Sequence, residues 1–263
     1  MPRRARRHLH RIYAFARTAD DLADEHQDAA ALAAFRRDFL AALADPDAAA
    51  PLFADLAATI RECELERGLF TDLLDAFEQD LTVSRYDDRA ALADYCRRSA
   101  DPVGRLVLRV CGHRDAELDA LSDRICTGLQ LLNHLQDLGE DLRDRDRVYF
   151  PLTEFAAHGA SIDDLRAAAA GPELRAFVHA QADAIGAMFA AGWPLVRQVR
   201  GRLRFELRAI LAGASAVLGR IRAVDGDVLG GRVRLSKRER LGSVLRGLLS
   251  ARAPEFGRRN DAR

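Results

Sequence analysis

Apolar positions recur every three or four residues from one end of the chain to the other, and no run alternates apolar with polar residues over strand length. That period predicts an all-α fold. Turn-forming residues interrupt it at Asp45-Pro46, near Gly68, at Asp101-Pro102, around Gly112, at Pro151, at Gly171-Pro172, at Trp193-Pro194 and at Asp225-Gly226, which are the expected helix boundaries. None of these breaks has the composition of a flexible interdomain linker, and no internal repeat stands out.

Two stretches depart from a simple one-sided helix. From Ala116 to Arg143, Leu118, Leu121, Ile125, Leu129 and Leu132 form one apolar stripe, while Leu131, Leu135, Leu138 and Leu142 form a second. A helix apolar on two sides is covered on two sides, so this one is expected to be central. Between the stripes runs a polar line, Gln130, Asn133, Asp137 and Asp141, whose side chains stack on one face. Buried polar groups need partners, so the line is expected to face a wet or ligand-filled cavity. The stretch from Leu9 to Glu25 repeats the design: Leu9, Ile12, Ala16, Ala19 and Ala23 are its apolar side, and Tyr13, Arg17, Asp20 and Asp24 its polar line. Two such lines imply two walls of one cavity.

Composition narrows the function. The chain has 263 residues, enough to bury a sizeable core, and 40 basic residues balance 40 acidic ones. No global field recruits nucleic acid, which needs a basic surface to release phosphate counterions. Carboxylates concentrate before Glu173 and arginines between Arg197 and Arg263, a bias that reads as a solvated helix face or as a segment suited to anionic lipid or diphosphate. Cys63, Cys96, Cys111 and Cys126 are scattered without zinc spacing and read as core residues in a reducing cytoplasm. No apolar run approaches the roughly 20 residues of a membrane span, so the expected location is cytoplasmic, with peripheral contact at the inner membrane face as the alternative.

Asp20 and Asp24, and likewise Asp137 and Asp141, are four residues apart, which sets each pair on one helical face. Like charges at that spacing destabilise a bare helix by roughly 0.2–0.5 kcal/mol. A hard divalent cation removes the penalty, and magnesium suits the case because it keeps several waters and shares its shell with substrate phosphates. The competing reading for either pair alone is a solvated acidic face. Arg17 before the first pair and Arg147 after the second are candidates for bidentate phosphate contacts, with salt-bridged loop chemistry the alternative for Arg143 and Arg145. Metal ions and arginines that neutralise a departing diphosphate leave a carbocation, which Tyr13, Phe15, Tyr95 and Tyr149 can face through their rings or, equally, ignore as core residues.

YAFARTADDLADE from Tyr13 and NHLQDLGEDLRDRDRVYFP from Asn133 resemble the two aspartate-rich motifs of the squalene/phytoene synthase family. The resemblance runs to about Arg240 and implies a single-domain all-α isoprenoid-synthase bundle around a central cavity. It implies magnesium association for Asp20, Asp24, Asn133, Asp137 and Asp141. The expected catalytic set is Asp20, Asp24, Asp137, Asp141 and Tyr149, and the expected substrate-binding set is Tyr13, Arg17, Tyr95, Arg147 and Gln136. YCRRSADPVG from Tyr95, Gln136 and AVDGDV resemble the hydroxysqualene-forming branch, although Asp101 stands where that branch is expected to carry asparagine. The implied substrate is presqualene diphosphate, with water as co-substrate and no NAD(P)H. Implied partners are a presqualene diphosphate synthase and a squalene-forming reductase. A presqualene diphosphate or phytoene-type synthase is the alternative enzyme, and a non-catalytic scaffold of a lipid-synthesis complex the alternative class. Relatives carry an earlier helix, so a domain over 1–252 lacking its usual first helix is expected, with a flexible tail over 253–263.

Overall fold

Proline and glycine sit where helices begin and end. The computed structural model describes residues 3–231, 233–250 and 252–257, and its regular structure is α1 (Arg3–Asp24), α2 (Ala29–Ala44), α3 (Pro51–Glu62), α4 (Arg67–Asp80), α5 (Arg89–Ser99), α6 (Asp101–Val110), α7 (Ala116–Gln136), α8 (Leu138–Arg145), α9 (Leu152–Ala156), α10 (Pro172–Gly192), α11 (Leu195–Gln198), α12 (Gly201–Ala223) and α13 (Lys237–Leu249), with two short 3-10 turns. Among the described residues there is no strand, only an isolated parallel bridge between Arg85 and Val148, so the all-α expectation holds. Pro51, Pro102 and Pro172 open their helices, where a missing N–H costs nothing. Gly112 and Gly226 close the turns after α6 and α12 in the left-handed region.

One expected element is corrected. The uninterrupted helix read over 116–143 breaks at Asp137, whose φ of −99° and ψ of 8° separate α7 from α8. Hydrogen bonds from the Asp137 N–H to the Asn133 carbonyl (2.9 Å) and from the Asp141 N–H to the Asp137 carbonyl (2.7 Å) bridge the break. Gly139, a poor helix former, lies two residues on.

Contacts divide the chain into two compact units, Met1–Val83 with Tyr95–Asp119, and Ser84–Asp94 with Ala120–Arg263. The first is organised on α1, which packs on α2, α3, α4 and α6. Its core is a phenylalanine cluster in which Phe15 lies 5.2, 4.8 and 5.5 Å, ring centre to ring centre, from Phe35, Phe39 and Phe70. Phe15 is fully buried there, so of the two readings open for it the core one holds; truncation to alanine at such a site costs about 3–5 kcal/mol. The apolar side of α1 turns by one residue from the expected line: Ile12, Phe15, Ala19 and Ala23 are buried, while Leu9 and Ala16 are half-buried.

In the second unit α10 is buried along its length through Leu174, Phe177, Val178, Ile185 and Phe189. Phe155 of α9 stacks on Phe177 at 4.0 Å, and Arg89 and Gln181 both bind the Glu154 carboxylate. The helices α12 and α13 pack along each other. Beyond them, Phe256 is buried 5.6 Å from the Phe189 ring, and Arg222 donates to its carbonyl at 2.9 Å. The described part of the segment expected as a loose tail is therefore held on α10 and α12, and residues 258–263 lie outside the described residues. No helix among the described residues is long and apolar enough to cross a membrane.

Candidate functional site

The break at Asp137 gives the second acidic pair two environments. Asp137 is half-buried at the head of α8, and Asp141, one turn on, is buried. Burial and the neighbouring Asp137 carboxylate push the Asp141 carboxyl up to about 6, against the pull of Arg145 and Arg147. Arg145 reaches Asp141 at 3.3 Å. Asn133, the next member of the expected line, is exposed.

Past α8 the chain turns at Asp146, held in the left-handed conformation at φ 48°, and brings Arg147 and Tyr149 inward. Arg147 is buried and donates to the Tyr149 hydroxyl at 2.9 Å, and its guanidinium lies 5.7 Å from the Tyr149 ring centre. On the other aromatic contacts of Tyr149, His134 stacks at 3.5 Å and Tyr86 at 5.9 Å. Burial, with Arg147 nearby, holds the His134 imidazole down to about 3, so it is neutral at pH 7. A neutral imidazole, two phenol rings and one buried guanidinium thus surround the turn that follows the acidic pair.

Two distant segments brace this arrangement. Residues 84–86 lie along the turn: the Val148 N–H donates to the Ser84 carbonyl at 2.9 Å, and Arg85 binds Asp146 through both its carbonyl and its carboxylate (2.7 Å). From the C-terminal side, Gln136 donates its amide N–H to the Val233 carbonyl, and Leu229 packs against Gly139, where a Cβ would meet its Cδ2 at 2.9 Å. The loop carrying Val228, Leu229 and Val233 is itself anchored on α10, because Asp225 accepts from Arg175 (2.9 Å) and pairs with His179 (3.1 Å). Gln136, expected among substrate-binding residues, is a buried tether of that loop in this structure.

The first acidic pair is built differently. Asp20 and Asp24 are half-buried on an unbroken α1, Arg17 is exposed, and Tyr13 is 68% exposed. Arg17 binds Asp20 (3.1 Å), Asp21 (2.6 Å) and Glu25 (2.7 Å). Partial burial works against its charge, but Asp21, Asp20 and Glu25 outweigh it and hold the guanidinium above its ordinary value. Within the same unit Tyr95 is buried and donates to Asp80 at 2.9 Å. Asp101 is buried in the first turn of α6, where a helix N-terminus favours negative charge.

The structure therefore brings Asp137, Asp141, Arg147 and Tyr149 together in one unit, and Tyr13, Arg17, Asp20 and Asp24 along one helix in the other. Arg85, Tyr86, His134 and Asp80 escaped the sequence reading. His134 lies off the polar line of α7, and the others reach their partners only through tertiary pairing. Among the described residues no three His, Cys, Asp or Glu side chains form a closed metal cage. The oxygen-only donor set still fits magnesium, since Asp141 is a buried carboxylate raised by a like-charged neighbour, a state that a hard cation relieves.

A model of the squalene/phytoene synthase family matches residues 1–239. Hydroxysqualene synthase of Sinorhizobium fredii is 42% identical over 171 residues, 65% of this chain and 58% of that protein. Hydroxysqualene synthase of Rhodopseudomonas palustris is 36% identical over 220 residues, 81% of this chain and 74% of that protein. The crystal structure of squalene synthase HpnC from Alicyclobacillus acidocaldarius superposes with a TM-score of 0.80 at 38% identity, covering 86% of each chain. Fold and motifs together define an all-α isoprenoid-synthase chain. It belongs to the squalene/phytoene synthase family.

Proposed function

We propose that the chain is a hydroxysqualene synthase that converts presqualene diphosphate and water to hydroxysqualene and diphosphate. The C–O bond to diphosphate breaks with both electrons leaving on oxygen, the cyclopropylcarbinyl cation rearranges, and water adds with loss of a proton. The observation that carries this reading is the buried Asp141 beside Asp137, followed directly by the buried Arg147–Tyr149 pair. Magnesium, when bound, supplies positive charge to the leaving diphosphate. Asp137, Asp141 and Asn133 would hold it in the second unit, and Asp20 and Asp24 would be the magnesium-binding residues of α1.

Arg147 offers N–H donors where a diphosphate oxygen is bound, and Tyr149 fixes its direction. Arg17, paired with Asp20, Asp21 and Glu25, would exchange these carboxylates for substrate oxygen when Asp20 holds magnesium. Neutral His134, stacked on Tyr149, adds no charge that would repel a developing cation. No step calls for a nicotinamide. A presqualene diphosphate synthase supplies the substrate and a separate reductase consumes the alcohol, with the protein working in the cytoplasm or at the inner membrane face.

The test is incubation of the full chain with magnesium and presqualene, farnesyl or geranylgeranyl diphosphate, with products read by mass spectrometry. Hydroxysqualene formed from presqualene diphosphate alone is the expected result. A C40 or C30 diphosphate or hydrocarbon made from the shorter substrates would replace this reading with a presqualene diphosphate or phytoene-type synthase. No turnover of any of the three substrates by the parent chain, with its cellular contribution intact in Asp137→Ala, would leave only a scaffold role.

A further inference from the structure

The helix α13 wears its amphipathicity inside out. Its inner face is small and polar, Ser243 and Gly247, and a Cβ at Gly247 would come within 2.6 Å of the Arg208 carbonyl and 2.8 Å of the Ala212 side chain on α12. Only a bare backbone fits there, so the helix cannot roll its apolar side inward. That side, Leu241, Leu245, Leu248 and Leu249, follows the i, i+4, i+7, i+8 spacing of one face and is 61, 48, 37 and 85% exposed. Monomeric proteins rarely leave a contiguous leucine stripe in water without a partner for it.

Beside the stripe lies a groove of about 630 Å³, with Leu249 on its rim and Trp193, Arg208, Arg246 and Arg252 in its wall. Trp193 is buried, yet among the described residues its indole N–H has no hydrogen-bond partner, and neither has the Nε of Arg208. Among the described residues, no carboxylate pairs with Arg208, Arg246 or Arg252. Glu255 is the one acidic residue of the lining. The helix itself adds Lys237, Arg238 and Arg240, and its only acid, Glu239, is engaged in the capping box with Ser236. Donors without acceptors, next to leucines without cover, call for an anion joined to an apolar phase.

We propose that α13 and this groove form a docking surface for an anionic phospholipid bilayer, with a headgroup phosphate in the groove and the leucines among the acyl chains. A second copy of this chain fits less well, because a two-fold contact through the stripe would set Arg238, Arg246 and their copies against one another. An acidic peptide would answer the arginines but not a stripe four leucines long. The inference stands on this geometry alone and does not depend on which prenyl diphosphate the enzyme uses.

The experiment mixes the full chain with phosphatidylcholine vesicles, with or without phosphatidylglycerol, and reads co-sedimentation and the fluorescence of Trp193, the chain's single tryptophan. Binding is expected to anionic vesicles, to weaken with salt, and to change Trp193 emission. The double variant Leu241→Ser, Leu245→Ser should bind at least about tenfold less well, and Arg208→Gln with Arg246→Gln should lose about fivefold for each arginine and blunt the Trp193 response. Circular dichroism checks that the variants fold, and turnover of detergent-dispersed substrate, unchanged in the leucine variant, keeps the surface separate from catalysis. Equal binding to neutral vesicles, full binding by the leucine variant, a vesicle-free dimer that the leucine variant abolishes, or inorganic phosphate alone reproducing the Trp193 change would each overturn the proposal.

Discussion

The two acidic pairs share a spacing and almost nothing else. On α1, Asp20 and Asp24 sit on a continuous helix whose arginine is already engaged by its own carboxylates in an exposed network. On α7 and α8, Asp137 and Asp141 straddle a break, the second carboxylate is buried, and residues 84–86, Leu229 and Val233 hold the chain around them. A half-buried pair beside an exposed arginine can rearrange at little cost, whereas a pair with one buried carboxylate is fixed by its surroundings before any ligand arrives. On the proposed reading, the second motif is the preorganised half of the chemistry and the first the adaptable half.

The largest effect should come from the preorganised half. Asp137→Ala is expected to lower turnover by about a thousandfold, on the order of 4 kcal/mol of lost transition-state stabilisation, with the far-ultraviolet circular dichroism unchanged. A residual rate within tenfold of the parent would put the chemistry elsewhere.

Next comes stability. The Asp141 carboxyl titrates near 6 in the folded protein, above its ordinary 3.8, so between those values the folded state binds more protons than the unfolded one. Stability contributed by this group is then present at low pH and falls as pH rises through about 6, at most about 3 kcal/mol. Without metal, Asp141→Asn should therefore melt higher than the parent at pH 7 and no higher near pH 4. Magnesium should raise the parent's melting temperature more than the variant's. Parallel pH profiles for the two proteins would show that Asp141 is not destabilised by its site.

A smaller effect is expected one turn further on. Tyr149→Phe removes the hydroxyl that accepts from Arg147 at 2.9 Å inside the protein, and the loss of one buried hydrogen bond to a charged donor costs about 1.5 kcal/mol. Urea unfolding of Tyr149→Phe beside Tyr13→Phe sharpens the contrast, since Tyr13 is exposed on α1 and its variant should match the parent within about 0.5 kcal/mol.

Much of this contrast was open to reading before any coordinates. Helical period, proline at helix starts and the DxxxD spacings located α1, α7 and α8 and their polar lines. What the period could not carry was the break at Asp137, because the i to i+4 hydrogen bonds and the apolar stripes run on either side of it without interruption. Nor could it separate Phe15 from Tyr13: both are aromatic and two residues apart, and only the phenylalanines of α2 and α4 decide which is core. Gln136 shows what local pattern leaves out: expected at the substrate for its place beside the motif, it donates its amide to the Val233 carbonyl ninety-seven residues away. Tertiary partners, not local pattern, assign such side chains.

The smallest structural effect belongs to the adaptable half. Arg17→Gln removes three exposed ion pairs, each the kind that water and salt screen, so its melting temperature should not differ measurably from the parent's. If Arg17 leaves those carboxylates for substrate, the loss appears instead in binding: KM for the diphosphate substrate should rise about tenfold, with kcat changed less. The magnesium concentration needed for half-maximal rate should fall in the same variant, because Asp20 no longer has a guanidinium competing with the metal. An unchanged KM together with an unchanged magnesium requirement would mean that the arginine serves only its own helix, and the adaptable half would then consist of carboxylates alone.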